Sequence, residues 1–244
     1  MIIEICVDCM DSVEACAEAG ADRIELCAGL VEGGTTPSIG FLKSARRLFP
    51  GRIMMMIRPR GGDFCYRAAE AEIMRADIEA ARDGGADGVV MGCLMPDGRI
   101  DETLMASLLE TADGMDVTFH RAFDVSRDLT ESLATLIRLG IPRVLTSGGR
   151  PSVPEGLEEI AGLVIKAGDR LTVLPGGGIR PETVAAVIAA TGVTECHLSA
   201  RHAPGSPMQF RRHDIPMGAT AVPGEYARKV ASAALIRAAK QWAG

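Results

Sequence analysis

The stretch Gly20-Ala-Asp-Arg-Ile-Glu-Leu-Cys27 joins the end of one predicted helix to the start of a predicted strand. Glycine readily adopts the left-handed conformation that ends many helices, and the apolar run after it is typical of a buried strand. Similar junctions occur at Gly85-Ala-Asp, Gly140-Ile-Pro and Gly192-Val-Thr. This recurrence predicts a fold built from repeated strand and helix units.

Eight short apolar runs alternate with eight segments at helical spacing. The predicted strands are 2–7, 23–27, 52–57, 88–92, 117–120, 143–146, 171–174 and 195–198. The predicted helices are 11–19, 39–48, 69–82, 102–112, 129–139, 154–166, 181–190 and 226–243. Eight such units in 244 residues match the roughly 250 residues of a (β/α)8 barrel. We therefore predict an α/β fold with a single TIM-barrel domain over residues 1–244, including a long loop at about 199–222 before the last helix.

The competing architecture is an open, doubly wound sheet, which has the same alternation of strands and helices. Such a sheet usually carries a glycine-rich fingerprint directly after its first strand. Here Cys6-Val-Asp-Cys9 follows the first strand and contains no glycine. The sequence therefore favours the closed barrel.

Composition and charge argue against several classes of protein. The formal net charge of −6 lacks the basic excess that nucleic-acid binding requires, so nucleic acid is not an expected partner. No apolar run approaches the roughly 18 residues of a membrane span, and the N-terminus enters a strand without a basic leader, so we expect a cytoplasmic protein with no membrane partner. Seven cysteines, an odd number, are expected to be reduced thiols rather than a disulfide framework.

Polar clusters follow four of the predicted strands. They are Arg58-Pro-Arg-Gly-Gly-Asp63, His120-Arg-Ala-Phe-Asp124, Pro175-Gly-Gly-Gly178 and His197-Leu-Ser-Ala-Arg201. The parallel strands of a barrel share one C-terminal edge, where the active sites of TIM-barrel enzymes lie. We therefore expect the four clusters to meet at a single rim that is rich in arginine.

Several of these rim residues are suited to binding an anion. Glycines after the seventh strand, together with the loop after the eighth, commonly expose backbone N–H groups to phosphate in barrels, and guanidinium groups pair with carboxylate or phosphate. The predicted anion-binding residues are Arg58, Arg60, Arg121, Gly176, Gly177, Gly178, Ser199 and Arg201. Alternatively, the glycines only form a tight turn, and the arginines pair internally with Asp8, Glu25, Asp63 and Asp124.

If the protein is an enzyme, its candidate catalytic residues are Glu25, His120 and Asp124. Glu4 and Glu25 lie inside strands, where a carboxylate facing the barrel interior could be a general base or could form an ion pair with a rim arginine. His120, with Asp124 on the following loop, could transfer a proton near neutral pH, and so could His197. Each histidine could equally be a structural hydrogen-bond donor.

Two cysteines end neighbouring strands and form a candidate metal site. Cys6 closes the first strand and Cys27 the second, and thiolates favour Cu(I) along with zinc. Cys6 and Cys9 also form a C-x-x-C spacing, although one such pair is weak evidence for zinc. The alternative is that these thiols pack as small apolar side chains.

Longer motifs in the chain resemble a known family. They are Ile5-Cys-Val-Asp8, Gly20-Ala-Asp-Arg-Ile-Glu-Leu-Cys27, Glu32-Gly-Gly-Thr-Thr-Pro-Ser38, Met56-Ile-Arg-Pro-Arg-Gly-Gly-Asp-Phe64, Val117-Thr-Phe-His-Arg-Ala-Phe-Asp124 and Val144-Leu-Thr-Ser-Gly148. From Met1 to about Arg201 the chain resembles the CutC copper homeostasis family. The resemblance implies a cytoplasmic TIM barrel that takes part in copper homeostasis and is often a homo-oligomer, with Cys6 and Cys27 as Cu(I) ligands and no organic cofactor.

Three hypotheses follow for the function. The first is a cytosolic copper homeostasis protein that binds a copper(I) ion. The second is a TIM-barrel enzyme that acts on a small phosphorylated or carboxylated metabolite at the C-terminal rim, because an arginine-rich rim selects an anionic ligand rather than a cation. The third is a non-catalytic interaction protein. The sequence leaves open whether any reaction occurs.

Overall fold

The computed structural model describes residues 1–212 and 226–243, and eight parallel strands form the centre of the fold. The strands are β1 (Ile2–Val7), β2 (Arg23–Leu26), β3 (Arg52–Met56), β4 (Gly88–Met91), β5 (Asp116–Phe119), β6 (Arg143–Thr146), β7 (Thr172–Pro175) and β8 (Glu195–Leu198). Each strand pairs with its neighbours in sequence, and β8 returns to pair with β1. A parallel bridge between Gly176 and His197 joins the two remaining edges. The predicted (β/α)8 barrel is confirmed.

Eight helices follow the strands. They are α1 (Met10–Ala19), α2 (Ile39–Leu48), α3 (Ala68–Asp83), α4 (Glu102–Thr111), α5 (Leu129–Arg138), α6 (Leu157–Ala167), α7 (Val184–Thr191) and α8 (Ala233–Ala243). Local sequence accounts for several of their ends. Asp128, for example, accepts hydrogen bonds from the backbone N–H groups of Thr130 and Glu131 and so begins α5. None of the helices in the described part of the chain is long and apolar enough to cross a bilayer.

The glycines predicted to end helices adopt the left-handed conformation. The φ angles are 63° at Gly20, 87° at Gly85, 71° at Gly140 and 73° at Gly192. A side chain at these positions would meet the steric cost of positive φ. The repeated junctions in the sequence therefore reported the ends of real helices.

Three predicted helix starts were wrong. Short 3₁₀ turns at Val153–Glu155 and Pro181–Thr183 precede α6 and α7, because proline fits a first turn but the chain then changes geometry before the α-helix begins. The last helix begins at Ala233 rather than at residue 226. Before it, β10 (Val230–Ala231) pairs antiparallel with β9 (Arg201–His202), and the Ala231 N–H donates to the Ser12 hydroxyl at 2.9 Å.

The long loop predicted at about 199–222 is therefore only partly irregular, since β9 lies within it. Its residues 213–222 lie outside the described residues.

Alternation along the strands separates two cores. Ile3, Ile5 and Val7 of β1 belong to the apolar core shared with the helices, whereas Glu4 and Cys6 lie on the opposite face. The same period of two places charged residues of β2, β6 and β8 inside the barrel. That interior is partly ionic, unlike the branched aliphatic filling that dominates most TIM barrels.

Candidate functional site

A cavity of about 220 Å³ lies at the C-terminal rim of the barrel. We call it the rim cavity. Of the residues predicted from sequence, it brings together Cys6, Glu25, Arg58, His120, Arg121, Gly176, Gly177 and Arg201, with His197 beside them. Leu30, Met56, Phe64 and Leu145 supply apolar walls. An apolar pocket with a few convergent polar groups is the usual form of a small-molecule site.

Other predicted residues lie outside the lining of this cavity. Arg60 donates to Glu70 Oε1 at 2.5 Å and to Asp63 Oδ1 at 3.0 Å, so its guanidinium is engaged in a surface network. Gly178 is one residue beyond the lining, and Ser199 lines a neighbouring cavity of about 500 Å³. Cys27 is fully buried. The structure therefore divides the predicted anion-binding set between the rim cavity and its surroundings.

Backbone carbonyl groups of the loops after β2 and β3 hold the Arg58 guanidinium. Its Nη1 donates to the carbonyl oxygens of Glu32 at 2.7 Å and Gly34 at 2.9 Å, and its Nη2 donates to that of Gly62 at 2.9 Å. The guanidinium lies 4.9 Å from the ring centroid of Phe64. Its Nε is buried and has no hydrogen-bond partner among the described residues.

Asp124 holds Arg121 in place rather than contacting His120. Its Oδ2 accepts from Arg121 Nε at 2.7 Å, and its oxygens also accept from the N–H groups of Ser147 and Gly149 at 3.0 Å. Arg121 Nη2 donates to the Ser147 hydroxyl at 2.6 Å. The predicted pairing of His120 with Asp124 is therefore replaced by a network that orients an arginine.

His120 is a neutral hydrogen-bond donor. Its Nδ1 accepts from the Ala122 N–H at 3.2 Å, so the ring proton is on Nε2. Burial, reinforced by the charge of Arg58, lowers the pKa of His120 to about 3. Of the two roles that the sequence left open for His120, this pKa fits the structural donor, because the ring does not change charge near neutral pH. Its Nε2 has no partner among the described residues.

His197 lies between two buried carboxylates. Its Nδ1 is 2.7 Å from Glu4 Oε1, and its Nε2 is 3.9 Å from Glu25 Oε2. Burial alone would lower the pKa of His197, but the charge of Glu25, together with interactions with Cys6 and Glu4, raises it well above its usual value of 6.5. We therefore describe His197 as an imidazolium at neutral pH.

The two carboxylates have opposite pKa shifts. Burial would raise the pKa of Glu4, but the hydrogen bond from His197 and the charge of Arg23 lower it to about 2. Burial raises the pKa of Glu25, although the charge of His197 opposes that effect. Carboxyl groups whose pKa values diverge are typical of sites that move protons. One oxygen of Glu25, Oε1, has no partner among the described residues.

The thiols of Cys6 and Cys27 flank Glu25. Cys6 lies opposite Glu25 in the pairing of β1 with β2, and Arg201 Nη2 donates to its Sγ at 3.8 Å. The Cys27 thiol donates to Glu25 Oε2 at 3.4 Å, and it packs with Met54 and Met56. Burial, reinforced by the charge of Glu25, raises the pKa of Cys27 well above 9.0. These thiol and thioether sulfurs are soft donors of the kind that suits Cu(I).

The described residues also contain a group with the geometry of a cation site. One potential ligand atom each from Glu4, Glu25 and His197 lies within 4.8 Å of the others. Carboxylate oxygen and imidazole ligands suit divalent ions that are harder than Cu(I). The hydrogen bond to His197 and the ion pair to Arg23 already occupy Glu4, so this group is better described as an imidazolium between two carboxylates.

Sequence reasoning missed the ionic network beneath the cavity. Arg23 pairs with Glu4 and Glu195, and Arg143 Nε donates to Glu195 Oε2 at 2.9 Å. Arg143 also donates to Asp116 Oδ2 at 3.1 Å. The signal was the spacing of two that relates Glu4 to Cys6, Arg23 to Glu25 and Glu195 to His197, because residues two apart in a strand share a face.

Comparisons with known proteins indicate the family to which this chain belongs. A family profile described as the CutC family matches residues 1–202. The chain is 45% identical over 236 residues to a protein from Mus musculus named copper homeostasis protein cutC homolog, with 97% of this chain and 87% of that protein covered. The Homo sapiens protein of the same name is 46% identical over 236 residues, with 97% and 86% covered.

Solved structures show the same architecture. The crystal structure of CutC from Streptococcus agalactiae has a TM-score of 0.77 at 34% identity, and the match covers 81% of this chain and 97% of that chain. Thiamine phosphate pyrophosphorylase from Pyrococcus furiosus shares the fold alone, with a TM-score of 0.60 at 16% identity and coverage of 99% and 95%. On the extent of the sequence and structure matches, the chain belongs to the CutC family.

Proposed function

We propose that this chain binds a copper(I) ion through the thiolates of Cys6, which lines the rim cavity, and Cys27, which is buried beside it. The observation that carries this proposal is the grouping of the Cys27 thiol with the Met54 and Met56 thioethers inside the barrel, next to β1, which carries Cys6. Soft sulfur ligands favour Cu(I) over hard cations. The names of the mouse and human relatives, which describe copper homeostasis proteins, support the same proposal.

Charge and proton balance support a dithiolate site. Both thiols must lose a proton on binding, and Glu25 already accepts the hydrogen bond from the Cys27 thiol, so it offers a first acceptor for that proton. A Cu(I) ion held by two thiolates carries a net charge of −1. Arg201, which donates to Cys6 Sγ, would stabilise that complex.

The test is an anaerobic titration of the fully reduced protein with Cu(I) against a competing chelator. We expect tight 1:1 binding that is lost in Cys6→Ser and in Cys27→Ser. Cys9→Ser is the matched control, because Cys9 is only partly buried and its Sγ contacts the Ser12 hydroxyl at 3.2 Å. Equal affinity of the wild type and the Cys6→Ser, Cys27→Ser double variant would refute the proposal.

A second candidate function is proton-transfer catalysis on a small anionic metabolite. The observation that favours it is the chain of Glu4, His197 and Glu25 beside the rim cavity, in which Glu4 orients the imidazole. A carboxyl group whose pKa is raised by burial is a common general base, and Glu25 has such a shift. Glu25 would be the base, and Arg121 would bind the anionic end of the substrate.

This second function is tested by proton exchange. A bound metabolite with an acidic C–H group should exchange that hydrogen with deuterated water in the presence of the wild type but not of Glu25→Gln. Exchange at equal rates in both proteins would exclude Glu25 as the base.

The cytoplasmic location and the homo-oligomeric state that the family resemblance implied stay predictions.

A further inference from the structure

Unpaired buried polar atoms concentrate in the rim cavity. Four such side-chain atoms occur among the described residues, and three of them belong to residues that line this one cavity: Glu25 Oε1, Arg58 Nε and His120 Nε2. Folded proteins pair nearly all their buried polar groups, because an unpaired one loses its bonds to water without replacement. A cluster of three in one cavity therefore points to a ligand that pairs them.

The donor or acceptor role of each of these three atoms defines what the ligand must offer. Arg58 Nε–H is a donor, and His120 Nε2 is also a donor because Nδ1 of the same ring accepts from the Ala122 N–H. Glu25 Oε1 is the acceptor. A complementary ligand therefore carries acceptor atoms at one end and at least one donor, such as a hydroxyl group, at the other.

Charge makes the acceptor end anionic. The hydrogen bonds of Arg58 run to backbone carbonyl groups, and no carboxylate within residues 1–212 and 226–243 lies in salt-bridge distance of it. Arg121 adds a second guanidinium, whose Nη1 lies 3.2 Å from the position that a Cβ on Gly177 would take. Burying positive charge without a counter-ion is costly, so a carboxylate or phosphate is favoured over a neutral acceptor.

The size of the cavity limits the rest of the ligand. Its volume of about 220 Å³ is below the roughly 300–1,000 Å³ of pockets for drug-sized molecules. Its apolar walls, formed by Leu30, Met56, Phe64 and Leu145, suit a short carbon skeleton.

From these observations we infer that the rim cavity binds a small hydroxylated organic anion, a hydroxycarboxylate or a short polyol phosphate. The hydroxyl group donates to Glu25, and the anionic group accepts from Arg58, His120 and Arg121. This inference names the ligand for the second candidate function, on which it rests, and it requires no turnover. It is independent of copper, because a metal ion supplies neither an acceptor for Arg58 nor one for His120.

The test compares matched pairs of probes by isothermal titration calorimetry on the reduced, metal-free protein. Glycerate is paired with propionate, and glycerol 3-phosphate with propyl phosphate, so each pair differs only in hydroxyl groups. We expect the hydroxylated member of at least one pair to bind about 10- to 100-fold more tightly, as expected for a hydrogen bond to a charged group. Which pair binds distinguishes a carboxylate from a phosphate ligand.

Variants locate the two ends of the ligand. Glu25→Gln keeps the side-chain shape and should abolish the preference for the hydroxylated probe, whereas Glu72→Gln on the exposed face of α3 is the matched control. His120→Phe should weaken both members of the pair by about tenfold, since it removes a donor to the anion and leaves Glu25 in place. If these variants fold poorly, Leu30→Trp, which fills the cavity from its partly buried wall, should abolish binding of both members.

Two results would overturn the inference. One is the absence of binding by all four probes at concentrations up to about 10 mM. The other is binding by Glu25→Gln and Leu30→Trp that equals the wild type. Because Cys27→Ser, at a residue outside the cavity lining, should still bind the preferred probe, and Glu25→Gln can be titrated with Cu(I) separately, failure of this inference is distinguishable from failure of copper binding.

Discussion

Replacing Glu4 by glutamine should destabilise the barrel by about 3 kcal/mol at pH 7, although the two side chains have nearly the same shape. Glu4 is 1% exposed and lies at the centre of the interior network. It accepts from Arg23 Nε and lies 2.7 Å from His197 Nδ1. Glutamine leaves both cationic partners inside the barrel while removing the negative charge that they share.

The pKa shift of Glu4 and the usual cost of breaking a buried ion pair give the same loss of stability. The surroundings lower the pKa of Glu4 from 4.5 to about 2, and each pKa unit corresponds to about 1.4 kcal/mol, which gives about 3 kcal/mol in favour of the charged form. Removing one partner of a buried ion pair typically costs about 3–5 kcal/mol. Both values far exceed the cost of losing an exposed pair, which is about 0–1 kcal/mol.

The pH dependence follows from the direction of the shift. Because the folded-state pKa of Glu4 is below its unfolded value of 4.5, the stabilisation is fully present above pH 4.5 and is lost as pH falls toward 2. Urea denaturation should therefore show a difference in the free energy of unfolding between the wild type and Glu4→Gln at pH 7, and this difference should be smaller at pH 3.5. The control is Glu182→Gln, which breaks a surface pair with Arg180. A loss below about 1 kcal/mol, or a difference that does not change with pH, would show that Arg23 and His197 do not stabilise the charged form of Glu4.

Three further predictions concern the rim. Gly177→Ala should weaken anion binding, because φ at this position is +115° and the new Cβ would lie 3.2 Å from Arg121 Nη1; calorimetry with the preferred probe checks this. Asp124→Asn should lower the free energy of unfolding by about 1–3 kcal/mol, since its carboxylate accepts from Arg121 and from backbone N–H groups after β6, and a urea midpoint equal to wild type would contradict it. His197 should remain protonated at pH 7.5 by NMR, because the charge of Glu25 raises the pKa of the imidazole. The contribution of this imidazolium to folding stability is fully present below pH 6.5 and is lost as pH rises through the folded-state pKa. An NMR titration midpoint near 6.5 would rule out the raised pKa.

The sequence predicted the fold closely because the relevant signals are local. Apolar period, glycine at helix ends and the count of eight units depend on neighbours within one turn or one strand. The errors arose where distant contacts decide. The helix expected from residue 226 begins instead at Ala233, since the preceding residues pair with β9 and hydrogen-bond to Ser12, which lies at the other end of the chain.

The site was predicted less completely, because its chemistry depends on distances that sequence does not contain. The structure places Arg58, Arg121 and Gly177 of the predicted rim clusters along one cavity, and their role in binding stays a prediction. The sequence could not show that Arg60 turns away toward Glu70, or that Asp124 serves Arg121 rather than His120.

The (β/α)8 barrel could be predicted from sequence alone, because strand and helix periods depend on neighbouring residues. The long motifs carried the resemblance to the CutC family and placed thiols, carboxylates and arginines in or after the strands. Which of these groups face one another depends on the folded barrel. Burial beside Arg58 makes His120 neutral, two carboxylates keep His197 charged, and Glu25 is left with an unpaired oxygen at the cavity. Charge, protonation and hydrogen-bond supply depend on solvent exclusion and on partners brought together from distant parts of the chain.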